Sequence, residues 1–482
     1  MPKSITLDKF SKGLNLQQGP STSSADTLRV LKNAYVTAGK SIRKRPGFKL
    51  LLTLEPGTVG LFSGLGKLNT FCSKSSPVVH ANSFVKSNAL DNFTFGAANS
   101  ICFCEVFNGF LYVISGSQLN SLFLTNVYHH YLDGAASTVV TDVNCPNTTV
   151  AIKISNKIWS RSVDGQTVRY SKTNNPRDWT TANDAGFLPV GVQSTGSAQV
   201  TALGHYNGKL VTFFSDTAQV WLVDVDPSKN QLLQTIDIGT SSQYAHANMA
   251  GDIFFLSPQG VRTIMAQENT QGNLIDSDVG SPIDRELLAG RIISLVQVGA
   301  APGDVLNISK GQYYRGGGQY WLYRGRQAAV YTFSRSTSIS AWSVYEFPFD
   351  IEYLDELDGE LYARSGDNVY KFDRNEFTDN GTIYPVDIEM AYLDFKSPGM
   401  LKQILSMDAV ITGNAKISYR YDPRNPNLIT SPAVDIVGDS RPGNVFPVEV
   451  MATNIAPVIA NNDNKDFELH SLQFIYDTLG PM

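Results

Sequence analysis

A short pattern recurs along the chain: a turn residue, usually glycine, followed by a run of apolar or alternating positions. It appears as FNGFLYVIS around Gly109, YNGKLVTFF around Gly208, MAGDIFFLS around Gly251 and LDGELYARS around Gly359. Further versions stand around Gly66 (GLGKLNTFC), Lys157 (ISNKIWSRS) and Gly318 (GGGQYWLYR). Asn-Gly and Asp-Gly are hairpin signals, because both central residues of the favoured turn need positive φ. Successive occurrences lie 43, 48, 51, 43, 67 and 41 residues apart. A four-stranded propeller blade takes roughly 40–50 residues. The spacing therefore predicts an all-β chain whose residues 51–380 form a β-propeller of six or seven blades. A strand from the other terminus often completes such a ring, so the count of turns does not fix the number of blades.

The long separation contains SPIDRELLAGRIISLV, which predicts a helical insertion near 281–298. Ser281 is the expected cap, Pro282 suits the first turn, and Leu287, Leu288 and Ile292 share a face. Two regions lie outside the repeat. Residues 1–50 are expected to form a polar N-terminal arm with a short helix near ADTLRVLKNA. Residues 384–482 carry longer strands, with Ile417, Tyr419 and Tyr421 alternating onto one face. In FELHSLQFIYD, simple alternation puts Leu469, Ser471 and Gln473 opposite His470, Leu472 and Phe474. This region predicts a β-sandwich or platform.

Composition supports that architecture and narrows the chemistry. Aromatics make up 11% of the 482 residues and there are 39 glycines, as expected of short strands joined by tight turns. The formal charge is −5. A protein that grips nucleic acid through phosphates should be basic, so tight nucleic-acid binding is not expected. Four cysteines, at 72, 102, 104 and 145, complete no zinc pattern and are expected to be free buried thiols. The opening MPKSITLDKF lacks the apolar core of a secretion signal. No apolar run reaches the ~18 residues of a membrane helix, so no membrane span is expected.

The candidate chemical motifs read as structure. SRSVDGQTVRYSKTNNPRDWTT (160–181) is similar to the Asp-box of sialidases in Ser162, Asp164 and Gly165. It lacks the terminal Trp, and that motif is itself only a turn stabiliser. Trp159 and Trp179 are expected to pack the blade, with Trp179 against the next one. IEYLDELDGELYA offers Glu352, Asp355, Glu356, Asp358 and Glu360, from which a glycosidase pair could be drawn. Asp358 is expected to be a turn residue and the others a solvated rim. The six histidines (80, 129, 130, 205, 246 and 470) accompany no nucleophile elbow. His129 and His130 face opposite ways on a strand and are expected at a surface or interface. GLFSGLGKL departs from a phosphate loop in its spacing and at Leu68. KSIRKRPGFK gathers Lys40, Arg43, Lys44, Arg45 and Lys49 and is expected to be a solvated turn, with a binding surface as the other reading. The sequence assigns no catalytic, cofactor-binding or metal-ligating residue and no cofactor, so the chain is not expected to be an enzyme.

The N-terminal segment carries a resemblance. Gly13, Leu14, Gln17, Gln18, Pro20, Asn33, Ala34, Lys44, Arg45 and Pro46 match the opening of tail nozzle proteins of short-tailed bacteriophages, also called tail tubular proteins B. Lys12 and Gly19 depart from that pattern. RYSKTNNPRDWTTAND, VTALGHYNGKLVTFFSDTAQVWLV and DIFFLSPQGVRTI resemble blade segments of the tail hubs and nozzles. The direct matches cover 1–50 and 150–270. The resemblance implies a β-propeller protomer, a homohexameric ring below the adaptor ring of the portal, and a central channel. Genomic DNA would pass through it without sequence-specific binding. Tail fibres or a needle are candidate further partners, and the place of action would be the virion tail, assembled in the host cytoplasm. The alternative is a virion-associated propeller that binds or cleaves host-surface glycans. It would show an open pocket lined by aromatics and carboxylates at the propeller's centre.

Overall fold

The computed structural model describes residues 2–73, 76–80, 84–93, 99–120, 123–193, 199–249, 251–265, 278–293, 309–430 and 432–481. The chain is an all-β protein in which a β-propeller is joined to a β-sandwich. Seven first strands stand around a common hub: Val59–Gly64, Asn99–Phe107, Ala151–Ile154, Ala202–Tyr206, His246–Met249, Lys310–Tyr314 and Tyr353–Leu357. Each lies beside the next in this order, and the last returns to the first, so the ring closes with seven blades. Every recurring turn seen in the sequence joins the first strand of a blade to its second. Asn108–Gly109 (φ +47° and +79°) and Asp358–Gly359 (+53° and +81°) hold the left-handed conformations that such tight hairpins demand.

Closure uses both ends of the propeller segment. The seventh blade takes Tyr353–Leu357, Glu360–Ser365 and Asn368–Asp373 from one end and Gly47–Thr53 from the other. Gly47–Thr53 pairs antiparallel with the third of these, Phe372 opposite Phe48. Apolar side chains fill the gap between neighbouring blades. At the seam, Leu61 and Leu68 of the first blade pack with Leu357, Tyr362 and Val369 of the seventh. The helical insertion is shorter than expected, a helix over Asp284–Leu288, and 294–298 lie outside the described residues. Ser281 does not cap it: Ile283 holds the cap position without a side-chain bond. Asp284 turns inward to Val261 N and to Arg262.

The sandwich is built from two sheets. One contains Val445–Ala452, Met400–Thr412, Glu468–Pro481, Ile42–Lys44 and Ala34–Val36, with Lys3–Leu7 added along Glu468–Pro481. The other begins as the sixth blade and runs on through Gly13–Leu14, Thr27–Lys32, Val386–Met390, Ala456–Asn461, Ala415–Arg420 and Val434–Ile436. Ile404, Met407 and Phe474 of the first sheet meet Ile388, Ile417 and Tyr419 of the second in a shared core.

The segment 1–50 is therefore woven into both sheets as strands. The helix expected near ADTLRVLKNA is the strand Thr27–Lys32, which pairs with Val386–Met390 and buries Leu28 and Leu31. A register shift between Leu28 and Val30 lets two apolar residues three apart share a face, a spacing that imitates a helix in sequence. A similar bulge at His470 corrects the alternation expected of FELHSLQFIYD. Ser471 pairs with Val410 but Leu469 pairs with Ile411, so Leu469, Leu472 and Phe474 are all buried.

The expected solvated basic turn is another correction. Lys44 and Arg45 are fully buried. Arg45 pairs with Asp379 through Nη1–Oδ1 (3.0 Å) and Nη2–Oδ2 (2.5 Å). It also donates to Asn33 Oδ1, Pro46 O and Glu346 O, and lies 3.8 Å from the Tyr384 ring centroid. Asp379 Oδ1 accepts from Phe48 N as well (3.0 Å). Lys44 Nζ donates to Asn461 Oδ1 (3.2 Å) and to the carbonyl of Asp463. Burial, and then the neighbouring Arg45, lower its pKa to about 8. Removing one partner of a buried pair strands the other charge and typically costs 3–5 kcal/mol. Arg45→Ala is expected to lose about that much stability in urea unfolding, and Arg45→Lys should not restore it, since an ammonium cannot make the two-pronged contact. A loss below about 1 kcal/mol would contradict this account of the joint.

Candidate functional site in the propeller hub

The first strands of the blades enclose a cavity of about 670 Å³ at the centre of the ring. That volume lies in the range of small-molecule sites, ~300–1,000 Å³. Its wall includes Glu105 from the second blade, His205 from the fourth, Tyr313 and Arg315 from the sixth, and Asp355 and Glu356 from the seventh. Asp358, in the hairpin after the last of these strands, also reaches the cavity.

The acidic residues are held differently. Asp355 Oδ2 accepts from Ser63 N (2.5 Å) and Oδ1 from Glu356 N (2.8 Å), so its carboxyl is fixed between the seventh and first blades. Burial raises its pKa to about 6 against the lowering effect of those bonds, and the nearby Glu105 adds to the rise. Burial raises the pKa of Glu105 as well, and Lys153 partly offsets this. Glu356 accepts from the backbone N–H of Arg315. The hub therefore offers two carboxyl groups, Asp355 and Glu105, that hold their protons above the ordinary carboxylate range, with Glu356 and Asp358 beside them.

Of the acidic residues read in the sequence, Asp355, Glu356 and Asp358 come together here, and Asp358 is also the turn residue expected. The expectation of a solvated rim is corrected for Asp355, because three first strands converge on it. Glu352 is exposed and accepts from Gly366 N, and Glu360 points away to Lys371 at 3.7 Å. Glu105 was missed, yet the repeat carried a signal for it. Glu105, Gly204, Ala247 and Asp355 each stand four residues before the turn glycine of their blade, and all line the cavity. In these four blades a register counted back from the turn finds the wall of the hub; in the other three the lining residue is shifted by one, at Ser63, Ile152 and Tyr313.

The other candidates are structural. Ser162, Asp164 and Gly165 make a turn, in which Asp164 Oδ1 accepts from Gln166 N (2.9 Å). Trp159 is buried against Tyr170, with ring centroids 4.5 Å apart. Trp179 packs with Phe107 and Tyr112 of the preceding blade, not the next one, because its loop folds back. GLFSGLGKL forms the first hairpin of blade one, and the four cysteines are free. Among the described residues no His, Cys, Asp and Glu cluster has metal-binding geometry, and no helix is long and apolar enough to cross a membrane.

His129 and His130 are buried, not at a surface. The His129 ring donates from Nε2 to Thr148 O (2.9 Å) and accepts at Nδ1 from Tyr112 Oη (2.8 Å), which fixes the neutral form. His130 bonds Ser115 Oγ (2.8 Å) and Thr138 Oγ1 (3.0 Å). Burial lowers both pKa values to about 4, as it does for His246 at the hub.

No family model and no curated protein matches the chain. Among solved structures it is similar to an exo-β-1,3-galactanase from Phanerochaete chrysosporium with galactose, at 10% identity and TM-score 0.27, over 77% of this chain and 94% of that one. A variant of that enzyme with β-1,3-galactotriose gives 10% identity and TM-score 0.28, over 80% and 98%. Both are glycan-cleaving enzymes, and the sequence expectation that this chain is not an enzyme is withdrawn on that finding.

The three buried histidines set a pH dependence. Between about pH 6.5 and 4 the unfolded chain takes up protons that the folded chain refuses, so acidification through that window removes stability. Asp355 acts in the opposite sense: it favours the fold at the acid end and loses that contribution as pH rises through about 6. Glu105, Asp252 and Asp284, also raised by burial, act with Asp355, while Asp133, Asp164 and Asp178, lowered by side-chain hydrogen bonds, act with the histidines; the melting temperature is expected to fall from pH 7 to pH 4. His129→Gln should flatten that slope; an unchanged slope would rule out His129 as a contributor.

Proposed function

We propose that this propeller binds and cleaves glycans at its hub. The observation that carries the reading is the pairing of Asp355, whose pKa is raised to about 6, with Glu105 across one cavity. Glycoside hydrolysis needs a carboxylic acid to protonate the leaving oxygen and a second carboxylate to act as nucleophile or base. Burial keeps Asp355 protonated into the mildly acidic range, which suits it to the first role. Glu105 lines the same cavity, and Lys153, which favours its ionised form against the effect of burial, suits it to the second. Purified protein screened against a panel of bacterial surface polysaccharides should release reducing ends. Asp355→Asn and Glu105→Gln should each reduce the rate by ~10²–10⁴-fold while leaving binding in place. The rate should fall as pH rises through about 6, where Asp355 gives up its proton. Wild-type protein that neither binds nor cleaves any glycan of the panel would overturn the reading.

A second reading is favoured by the N-terminal resemblance. We propose that the chain is a subunit of the distal tail tube of a short-tailed bacteriophage, which closes and then conducts the DNA channel. Six copies would form a ring below the adaptor ring, with tail fibres or a needle as further contacts. Each copy contributes a formal charge of −5, so the ring would let DNA slide past without sequence-specific contacts. The matching residues Gly13 and Lys44 to Pro46 belong to the joint between propeller and sandwich, where a family-wide pattern has a packing reason. A Cβ on Gly13, for instance, would come 2.7 Å from that of Ala341. The two readings are compatible, since a tail tip meets the host's surface glycans first. Electron microscopy of the protein in its particle should show a six-fold ring at the tail tip. Nanomolar affinity for duplex DNA in physiological salt, or absence from the tail, would count against this second reading.

A further inference from the structure

The hub has two unlike ends. At one end lie the hairpin turns between first and second strands, and the cavity wall reaches them at Asp358 and Gly359. At the other end, where the first strands begin, side chains from separate blades meet across the axis. The Cys102 thiol of the second blade lies beside the side chain of Tyr244, which precedes the fifth blade's first strand. The same second blade is reached from the seventh: Tyr353 Oη donates to Ile101 O (3.4 Å) and lies 3.4 Å from Ser100 Oγ.

Lys310 joins the same cluster. Its Nζ donates to Glu352 O (2.7 Å) and sits 4.3 Å from the Tyr353 ring centroid and 5.9 Å from that of Tyr244. Thr149, which leads into the third blade, and Gln243, which leads into the fifth, exchange two bonds of 2.8 Å past the fourth. These contacts make a floor. Among the described residues these contacts close this end of the hub, and the cavity opens toward the turn face.

We propose that the hub accepts the terminus of a glycan chain and not its interior, and that the terminal sugar is uncharged or an amino sugar. A through-going groove can seat the middle of a polymer; a pocket with a floor admits only an end. The charge preference follows from the wall, where Glu105, Asp355, Glu356 and Asp358 face a single arginine, Arg315. A uronic or sialic acid would be repelled, whereas a neutral sugar can hydrogen-bond the carboxylates and an ammonium group can pair with them.

This inference rests on the glycan reading, and the test separates the two. Linear oligosaccharides of uncharged and amino sugars, six units long, are incubated with the protein. Chains capped at both ends, cyclic glucans and oligouronates of the same length are run alongside. Products are followed by mass spectrometry over the first few per cent of reaction. Release of one- or two-unit products from the open linear chains, with at least tenfold slower turnover of the other three substrates, is the expected result. Tyr244→Gly, which opens the floor, should raise turnover of the capped chains relative to the open ones. Mid-chain products, or equal turnover of capped or cyclic substrates by the wild type, would overturn the blind-pocket inference and leave the glycan reading standing. Preferential turnover of oligouronates would overturn the charge preference. Failure of every saccharide to bind or react overturns both.

Discussion

The buried pair of Arg45 and Asp379 is the contact on which the architecture turns. It lies where the chain leaves the sandwich and enters the propeller as the closing strand Gly47–Thr53. Through one guanidinium it ties Asn33 of the N-terminal segment and Glu346 of the sixth blade to Asp379, just beyond the seventh. Asp379 in turn holds the backbone of Phe48, the residue that begins the seam. A propeller is only as rigid as its closure, because every other blade boundary is formed between segments adjacent in sequence. Placing a charge-assisted, two-pronged contact at the one boundary made by distant segments fixes its register as well as its strength.

The sixth blade extends that rigidity. Its hairpin, Gln319–Ser334 and Ile339–Ile351, continues into the sheet that forms half of the sandwich. Propeller and sandwich thus share hydrogen-bonded backbone, not just a surface contact, and the hub is fixed relative to the sandwich.

The hub also shows how position changes the chemistry of ordinary residues. Asp355 and Glu360 stand in one short segment, yet only the first is drawn into the ring of inner strands. There its proton is held to about pH 6, while Glu360 makes an outward contact with Lys371. His129 and His130 make the same point. Their opposite directions were legible from strand alternation, but their burial was not, because neighbouring residues supply Thr148 and Thr138 from loops that return to the blade.

The sequence alone determined that the chain is all-β and built as a propeller, because a tight hairpin needs positive φ and only Asn, Asp and Gly supply it readily at fixed intervals. It also determined the alternation of Ile417 and Tyr419 into the sandwich core. Tertiary structure decided what local pattern cannot express. The count of seven rested on Gly47–Thr53 finding Asn368–Asp373 more than three hundred residues away. The strand Thr27–Lys32 imitated a helix because a bulge breaks its alternation, and bulges are set by the partner strand. Lys44 and Arg45 read as solvated because charge is normally exposed; only Asp379, Asn461 and the carbonyls brought by the fold make their burial affordable. The hub was invisible for the same reason: Glu105 and Asp355 are 250 residues apart, and they face one cavity only once the ring has closed.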